Sequence, residues 1–166
     1  MLTEVPTPLF SNRVIRRRRY QLIGTLAGGF NLTEQGGATG SVIIGTRVGD
    51  VFEVGAGLRQ MATPVQSVGS SREYTFEHLA LVRLGLHFEL DSRRIVSLPF
   101  SVDLGTNFGD VKQAKLNLGL RFNITPYLSL GIYPFSPVYT FRGANSVLAD
   151  NSRWSFPSTL ELGFNF

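Results

Sequence analysis

Apolar and polar residues alternate with a period of two along most of this chain. The alternation is most regular in the segment Thr159–Phe166, where leucines and phenylalanines share one face and Thr159, Glu161, Gly163 and Asn165 share the other. Successive side chains of a β-strand point to opposite faces, so this pattern predicts a strand with one apolar face and one small or polar face. Apolar patterns with a helical period are scarce, and we therefore predict an all-β fold.

Eight segments carry this alternation. They are residues 18–32, 40–49, 51–62, 73–91, 94–106, 112–124, 127–142 and 153–166. The connections after the second, fourth and sixth segments are short, whereas most of the others are longer and contain Gly, Ser, Asn, Asp and Pro, which favour turns. This arrangement is typical of an eight-stranded antiparallel up-and-down transmembrane β-barrel. With an even number of strands, both ends of the chain lie on the side of the short turns. Pro134 and Pro137 interrupt the seventh segment and predict a bulge there.

A soluble barrel with an apolar cavity has the same alternation, so the polar face must decide between the two classes. A soluble exterior would be rich in Lys and Glu, but here the polar face consists largely of Gly, Ser, Thr and Asn. Side chains of this size suit the narrow interior of an eight-stranded barrel. Nine of the 13 phenylalanines lie on the apolar face, most of them near strand ends, as in the aromatic girdles of membrane barrels. The pattern therefore favours a barrel whose apolar face meets lipid.

Ten charged residues fall on the predicted inner face, five positive and five negative. They are Arg47, Glu53, Arg59, Glu77, Arg83, Glu89, Asp103, Lys115, Arg121 and Glu161. A balanced set is expected in a confined interior, because an unpaired buried charge is costly. We predict that these residues form a charge network in the lumen.

Composition excludes several other classes of site. The 166 residues include no cysteine and two histidines, so we expect no disulfide, no metal site and no cofactor. No run of 18 apolar residues is present, which excludes a transmembrane helix. The net charge of +4 is modest and no basic face is interleaved with aromatic residues, so we expect no nucleic-acid partner.

The strongest charge run is Arg16-Arg17-Arg18-Arg19, just before the first predicted strand. Such a run could contact anionic head groups, or it could be a simple interfacial anchor. Residues 1–17 are predicted to be a tail or a plug, and residues 18–166 the barrel domain.

This strand plan resembles the small eight-stranded outer-membrane barrels of bacteria, of the kind formed by the OmpA transmembrane domain and OmpX. Within it, Leu160, Leu162, Phe164 and Phe166 resemble the terminal signal that the barrel-assembly machinery recognises. The resemblance covers residues 18–166. It implies a location in the outer membrane of a Gram-negative bacterium, with the termini in the periplasm and with outer-membrane lipids and the assembly machinery as partners.

Candidate catalytic residues are few. His87 and Glu89 share the predicted inner face, and they form either an acid–base pair or part of the lumen network. Two lipid A-modifying enzyme families have barrels of this size, and the deacylase among them has a His and a Ser two residues apart. Neither His78-Leu79-Ala80 nor His87-Phe88-Glu89 has that spacing. We therefore predict no catalytic residues.

The leading functional hypothesis is a non-enzymatic outer-membrane barrel with a closed lumen, acting as a structural anchor, a surface-interaction module or an assembly partner. Its long loops, chiefly 63–72 and 143–152, are expected to carry recognition through Arg142, Asn145, Asp150 and Arg153. The tail offers a second route to a protein partner. A narrow, porin-like channel or small-molecule transporter is the alternative, and a lipid-modifying enzyme is the third possibility.

Overall fold

The computed structural model describes residues 20–31, 37–49, 51–65, 73–91, 93–143 and 152–166, and its strands form one closed antiparallel barrel. The strands are β1 Tyr20–Asn31, β2 Ala38–Val48, β3 Phe52–Val65, β4 Glu73–Glu89, β5 Val96–Thr106, β6 Val111–Asn123, β7 Leu128–Phe135, β8 Val138–Arg142, β9 Ser152–Ser155 and β10 Pro157–Asn165. Because β7 continues into β8 and β9 into β10, the ten strands make eight passes along the barrel wall. The predicted eight-stranded up-and-down fold is confirmed.

Pairing between the first and last strands closes the barrel. β1 pairs with β10 from Ile23 opposite Asn165 to Asn31 opposite Pro157, and the amide of Phe166 donates to the carbonyl of Leu22 at 2.9 Å. Closure matters because lipid offers no hydrogen-bonding partner to an open strand edge. The start of β1 and the end of β10 lie at the same end of the barrel as the turns that join β2 to β3, β4 to β5 and β6 to β7. We call this the short-turn end, and the opposite one the long-loop end.

The last two passes are each broken once. The interruption predicted at Pro134 and Pro137 is confirmed, since β7 ends at Phe135 and the pairing of β6 with β7 shifts register between Leu118 and Leu120. A second break, at Phe156, was not predicted. Its neighbour Pro157 accepts a hydrogen bond from the amide of Ser136 at 3.1 Å, so the two breaks lie side by side in the wall.

The two faces of the wall differ sharply in polarity. On β3, Leu58 is 68% exposed whereas Arg59 is 3% exposed, and on β4 Leu84 is 52% exposed whereas Arg83 is 2% exposed. An apolar exterior around a polar interior is the reverse of a soluble protein and is the pattern of a transmembrane barrel. Toward the long-loop end, the paired residues Gln60 and His78 are exposed on the outer face.

No helix among the described residues is long and apolar enough to cross a membrane.

The interior also contains an apolar cluster that the alternation of polar and apolar residues does not predict. Its members occupy inward positions, from the middle of the barrel toward the long-loop end. They are Ile43, Met61, Leu79, Leu81 and Val111. This cluster shares the lumen with the charged residues and with uncharged inward side chains such as Tyr133 and Asn117.

Glycines on β6 and β7 make room for an inward tyrosine. The ring of Tyr133 is buried, and a Cβ atom added at Gly131 would lie 2.8 Å from its Cε2 atom. A Cβ atom at Gly119 would meet the Cδ1 atom of the same ring at 2.8 Å and would also collide with the carbonyl of Ile132. The two glycines therefore accommodate an aromatic side chain that fills part of the lumen.

We predict that the purified protein needs detergent to stay monomeric, because its outer face is apolar. In SDS gels, the unheated protein should migrate differently from the boiled protein, because the closed hydrogen-bonded barrel resists SDS until it is heated. Electrophoresis with and without heating measures this. A monomer that is stable without detergent would contradict the membrane assignment.

Gly131→Ala should destabilise the barrel by about 1–3 kcal/mol, because the new methyl group overpacks the site of the Tyr133 ring. Gly28→Ala is the matched control, since no atom lies within 4 Å of a Cβ at Gly28. Urea unfolding in detergent micelles, followed by the fluorescence of Trp154, compares the two. Equal midpoints for both variants would refute the proposed role of Gly131.

Candidate functional site

The lumen contains most of the charges that were predicted for it. Nine of the ten residues have side chains that are at most 13% exposed. They are Arg47, Glu53, Arg59, Glu77, Arg83, Asp103, Lys115, Arg121 and Glu161. Their positions follow from the strict alternation of each strand, which turns every second residue inward.

Arg83 lies at the centre of the network. Its Nε donates to Oδ1 of Asp103 at 2.7 Å and its Nη1 donates to Oε2 of Glu161 at 2.6 Å. A third carboxylate, that of Glu53, lies 3.8 Å from the same Nη1 atom. One guanidinium from β4 thus connects β3, β5 and β10 across the barrel.

Two further arginines complete the pairing of these carboxylates. Arg59 donates to Oδ2 of Asp103 at 2.6 Å and to Oε1 of Gln113 at 2.5 Å. Arg121 donates to Oε1 of Glu161 at 2.7 Å and lies 3.4 Å from Oε2 of Glu53. Each carboxylate therefore accepts charge-assisted hydrogen bonds, which are the strong class of hydrogen bond.

Longer contacts extend the network further around the barrel. Arg47 on β2 lies 3.4 Å from Oε2 of Glu53, and the Tyr133 hydroxyl donates to Oε1 of Glu161 at 3.3 Å. With these contacts the network includes strands β2 to β7 and β10. It therefore spans nearly the whole circumference of the barrel.

Glu89 departs from the prediction. Its side chain is 31% exposed, and it forms an ion pair at 3.1 Å with Arg94 in the turn that follows β4. The physical reason is its position, because β4 ends at Glu89 and the side chain there reaches the rim of the barrel. The alternation predicts the inward face correctly but not the height along the barrel.

Arg142 departs from its predicted position in the opposite sense, since the sequence pattern predicts it in an outer loop. It is the last residue of β8, and its side chain points inward and is 6% exposed. Its Nη2 donates to Oε2 of Glu77 at 2.8 Å. The break at Ser136 and Pro137 shifts the alternation, so the sequence did not show which residues of β8 point inward.

These two changes alter the charge balance of the lumen. Among the described inward side chains, six are cationic and four are anionic, so positive charge is in excess by two. Lys115 contributes to the excess. It is 5% exposed, its Nζ donates to Oγ1 of Thr159 at 2.8 Å, and no described carboxylate lies within 4.0 Å of it.

A cavity of about 80 Å³ lies in the lumen near the long-loop end, beside the breaks in the wall. Its polar lining comes mainly from cations, a carboxamide and hydroxyls, and no described carboxylate lines it. The polar residues of the lining include Thr39, Arg59, Gln113, Lys115, Thr140 and Arg142.

His87 and Glu89 do not form the acid–base pair that their positions in the sequence made possible. His87 is 4% exposed and its Nδ1 atom has no hydrogen-bonding partner among the described residues, whereas Glu89 pairs with Arg94 at the rim. The described residues also contain no cluster of three or more His, Asp or Glu side chains that could hold a metal ion.

Several predicted sites lie outside the described residues. They include Arg16, Arg17, Arg18 and Arg19, the tail 1–17, most of the loop 63–72, and Asn145 and Asp150. The backbone of Arg153 belongs to β9. The side chains of Leu160, Leu162, Phe164 and Phe166 are exposed on the outer face, and their role as an assembly signal stays a prediction.

Comparison with known proteins supports the fold. No protein-family model matches the sequence, and no curated protein matches it either. Among solved structures, the chain is similar to Neisserial surface protein A, an eight-stranded outer-membrane barrel, with a TM-score of 0.51 and 12% sequence identity. The match covers 90% of this chain and 98% of that one. At this identity the similarity shows a shared fold, that of a small outer-membrane barrel.

Proposed function

We propose that this protein is a non-enzymatic integral barrel of the bacterial outer membrane with a closed lumen, which serves as a structural anchor, a surface-interaction module or an assembly partner. The observation that carries the proposal is the buried ion-pair network around Arg83, which crosses the lumen from β4 to β5 and β10.

Two features support a closed lumen. The interior of an eight-stranded barrel is just wide enough for side chains to fill it, and here the central section contains the guanidinium groups of Arg59, Arg83 and Arg121. Tyr133 and the apolar cluster occupy space beside them. An ion crossing this section would have to displace hydrogen bonds of 2.6–2.7 Å between buried charges.

The proposed location rests on the apolar outer face and on the fold shared with an outer-membrane barrel. In such barrels the short turns face the periplasm and the longer loops face outward. By this rule the start of β1 and the end of β10 belong to the periplasmic side, where residues 1–17 would also lie. Outer-membrane lipids and the barrel-assembly machinery are the proposed partners, with protein partners at the tail or the long loops.

The absence of catalysis is part of the proposal. It is supported by the surroundings of His87 and Glu89. Among the described residues, Nδ1 of His87 has no hydrogen-bonding partner, and Glu89 forms an ion pair with Arg94 at 3.1 Å. A general base needs an oriented partner and access to its substrate. His87 is 4% exposed within the lumen, and among the described residues its Nδ1 atom has no partner that would orient the ring.

We predict that the wild-type protein gives no steady single-channel current in a planar lipid bilayer, because the ion-pair network blocks the lumen. Recording over a range of voltages in KCl measures this. The alternative function is a narrow channel, and the excess positive charge of the lumen would make it anion-selective. Steady currents with anion selectivity would replace the closed-barrel proposal with this alternative.

Glu161→Gln should destabilise the folded barrel by about 3–5 kcal/mol, because it leaves Arg83 and Arg121 buried without one of their carboxylates. Glu89→Gln removes a carboxylate from a more exposed pair at the rim and should cost at most about 1 kcal/mol. Urea unfolding in micelles gives both values. If Glu161→Gln is as stable as Glu89→Gln but changes ion selectivity, the inner charges line a path and do not plug it.

A further inference from the structure

The cavity near the long-loop end is unusual for the charge of its lining. Arg59, Lys115 and Arg142 all line it, and no described carboxylate does. The carboxylates that pair with two of these cations, Asp103 and Glu77, are outside the lining. The cavity therefore presents cationic groups to whatever occupies it.

Lys115 is the strongest indication of a ligand. An ammonium group has three donors, and among the described residues only one of them has a protein acceptor, the hydroxyl oxygen of Thr159 at 2.8 Å. The residue is 5% exposed, and burying a charge is costly unless it is paired. A negatively charged group in the cavity would supply the missing partner.

Neutral groups around Lys115 suit the same ligand. The hydroxyl of Thr140 accepts a hydrogen bond from Nε2 of Gln113 at 3.2 Å, which leaves its own proton free to donate. Thr39 places a second hydroxyl in the lining. Donors from an ammonium group and from hydroxyls favour an oxyanion over an uncharged ligand.

The size of the cavity limits the ligand. Its volume of about 80 Å³ is several times the roughly 10–15 Å³ that one water molecule needs. A group of a few heavy atoms fits, and a folded peptide or a sugar chain does not. The breaks at Ser136 and Phe156 explain why space exists here, because Val138, Ser155 and Pro157 line the same cavity.

We propose that this cavity is a binding site for a compact oxyanion, a phosphate or carboxylate group, held by Lys115 with Thr140 and the flanking arginines Arg59 and Arg142. The group can belong to a free ion or to a lipid head group that enters from the long-loop end. This site goes beyond the closed-barrel function proposed above.

The test uses the full chain folded in an uncharged detergent at constant ionic strength. Inorganic phosphate, acetate and, as a reference, chloride are titrated by calorimetry, and a further arm adds a phosphate-bearing lipid to the micelles. Phosphate or acetate should bind saturably and raise the urea midpoint of the wild type, because a ligand that binds only the folded state stabilises it. A response to the lipid alone would identify the head group as the source.

Lys115→Gln should weaken binding about tenfold or more, as expected for the loss of a buried charged partner. Lys112→Gln is the matched control, because it removes the same charge from an exposed position on the same strand, and it should change the affinity less than about twofold. Thr140→Val keeps the charge of the lumen unchanged and should weaken binding about threefold or more. It provides the test if Lys115→Gln does not fold, as judged by heat-modifiable migration.

Two results would overturn the proposal. One is a wild type that shows neither saturable binding nor a shifted midpoint with any of these anions. The other is equal weakening by Lys115→Gln and Lys112→Gln, which would mean general charge screening. Neither result affects the conductance measurement, which tests the closed-barrel function independently.

Discussion

A charged side chain inside a narrow barrel is removed from water and needs a partner. This requirement constrains how the strands are aligned. Arg83 reaches Asp103 on β5 and Glu161 on β10, so all three strands must keep one register. A slip of one residue would turn the charged face of a strand toward lipid, where a cation at mid-membrane costs about 2–4 kcal/mol. The ion pairs therefore specify the arrangement of the strands even where their net contribution to the free energy of unfolding is small.

Space in the lumen is the second constraint. Tyr133 enters the interior because Gly119 and Gly131 leave room for its ring, and its hydroxyl then lies 3.3 Å from Glu161. Close packing of this kind fills the section around the ion pairs. The same wall is broken at Ser136 and Phe156, and there the lumen has room for a cavity. The ion-pair network thus fills the middle of the barrel, and the cavity lies nearer the long-loop end, with Arg59 belonging to both.

Much of the fold could be predicted from the sequence because a period of two is a local property. Leu58 and Arg59 have opposite exposures for the reason that the pattern gives, and the same argument holds on most strands. The apolar cluster was missed because an inward Leu79 beside an outward Ala80 produces no polar alternation.

The pattern of partners could not be predicted either. Arg59 and Asp103 are 44 positions apart, and only the pairing of β3 through β5 brings them to 2.6 Å. Height along the barrel was the other unknown. Glu89 lies at the rim of the barrel, and the break at Ser136 and Pro137 concealed the inward orientation of Arg142. Which charges pair, and at which level, depends on the register of several strands at once, and a single strand does not contain that information.

Two roles are proposed for the lumen, closure of the barrel and binding of an anion, and the excess of positive charge distinguishes between them. A plug that serves stability alone needs balanced charge, or none, since buried ion pairs can often be replaced by apolar side chains without loss. Ile43 and Leu79 show that this interior accepts apolar side chains. Lys115 is buried nearby with a hydroxyl as its protein acceptor, and that arrangement does not follow from packing or from pairing. Departures from local stability rules are expected where a site serves a function, so the cation at Lys115 is better explained by an anion that it binds than by the barrel that it helps to fill.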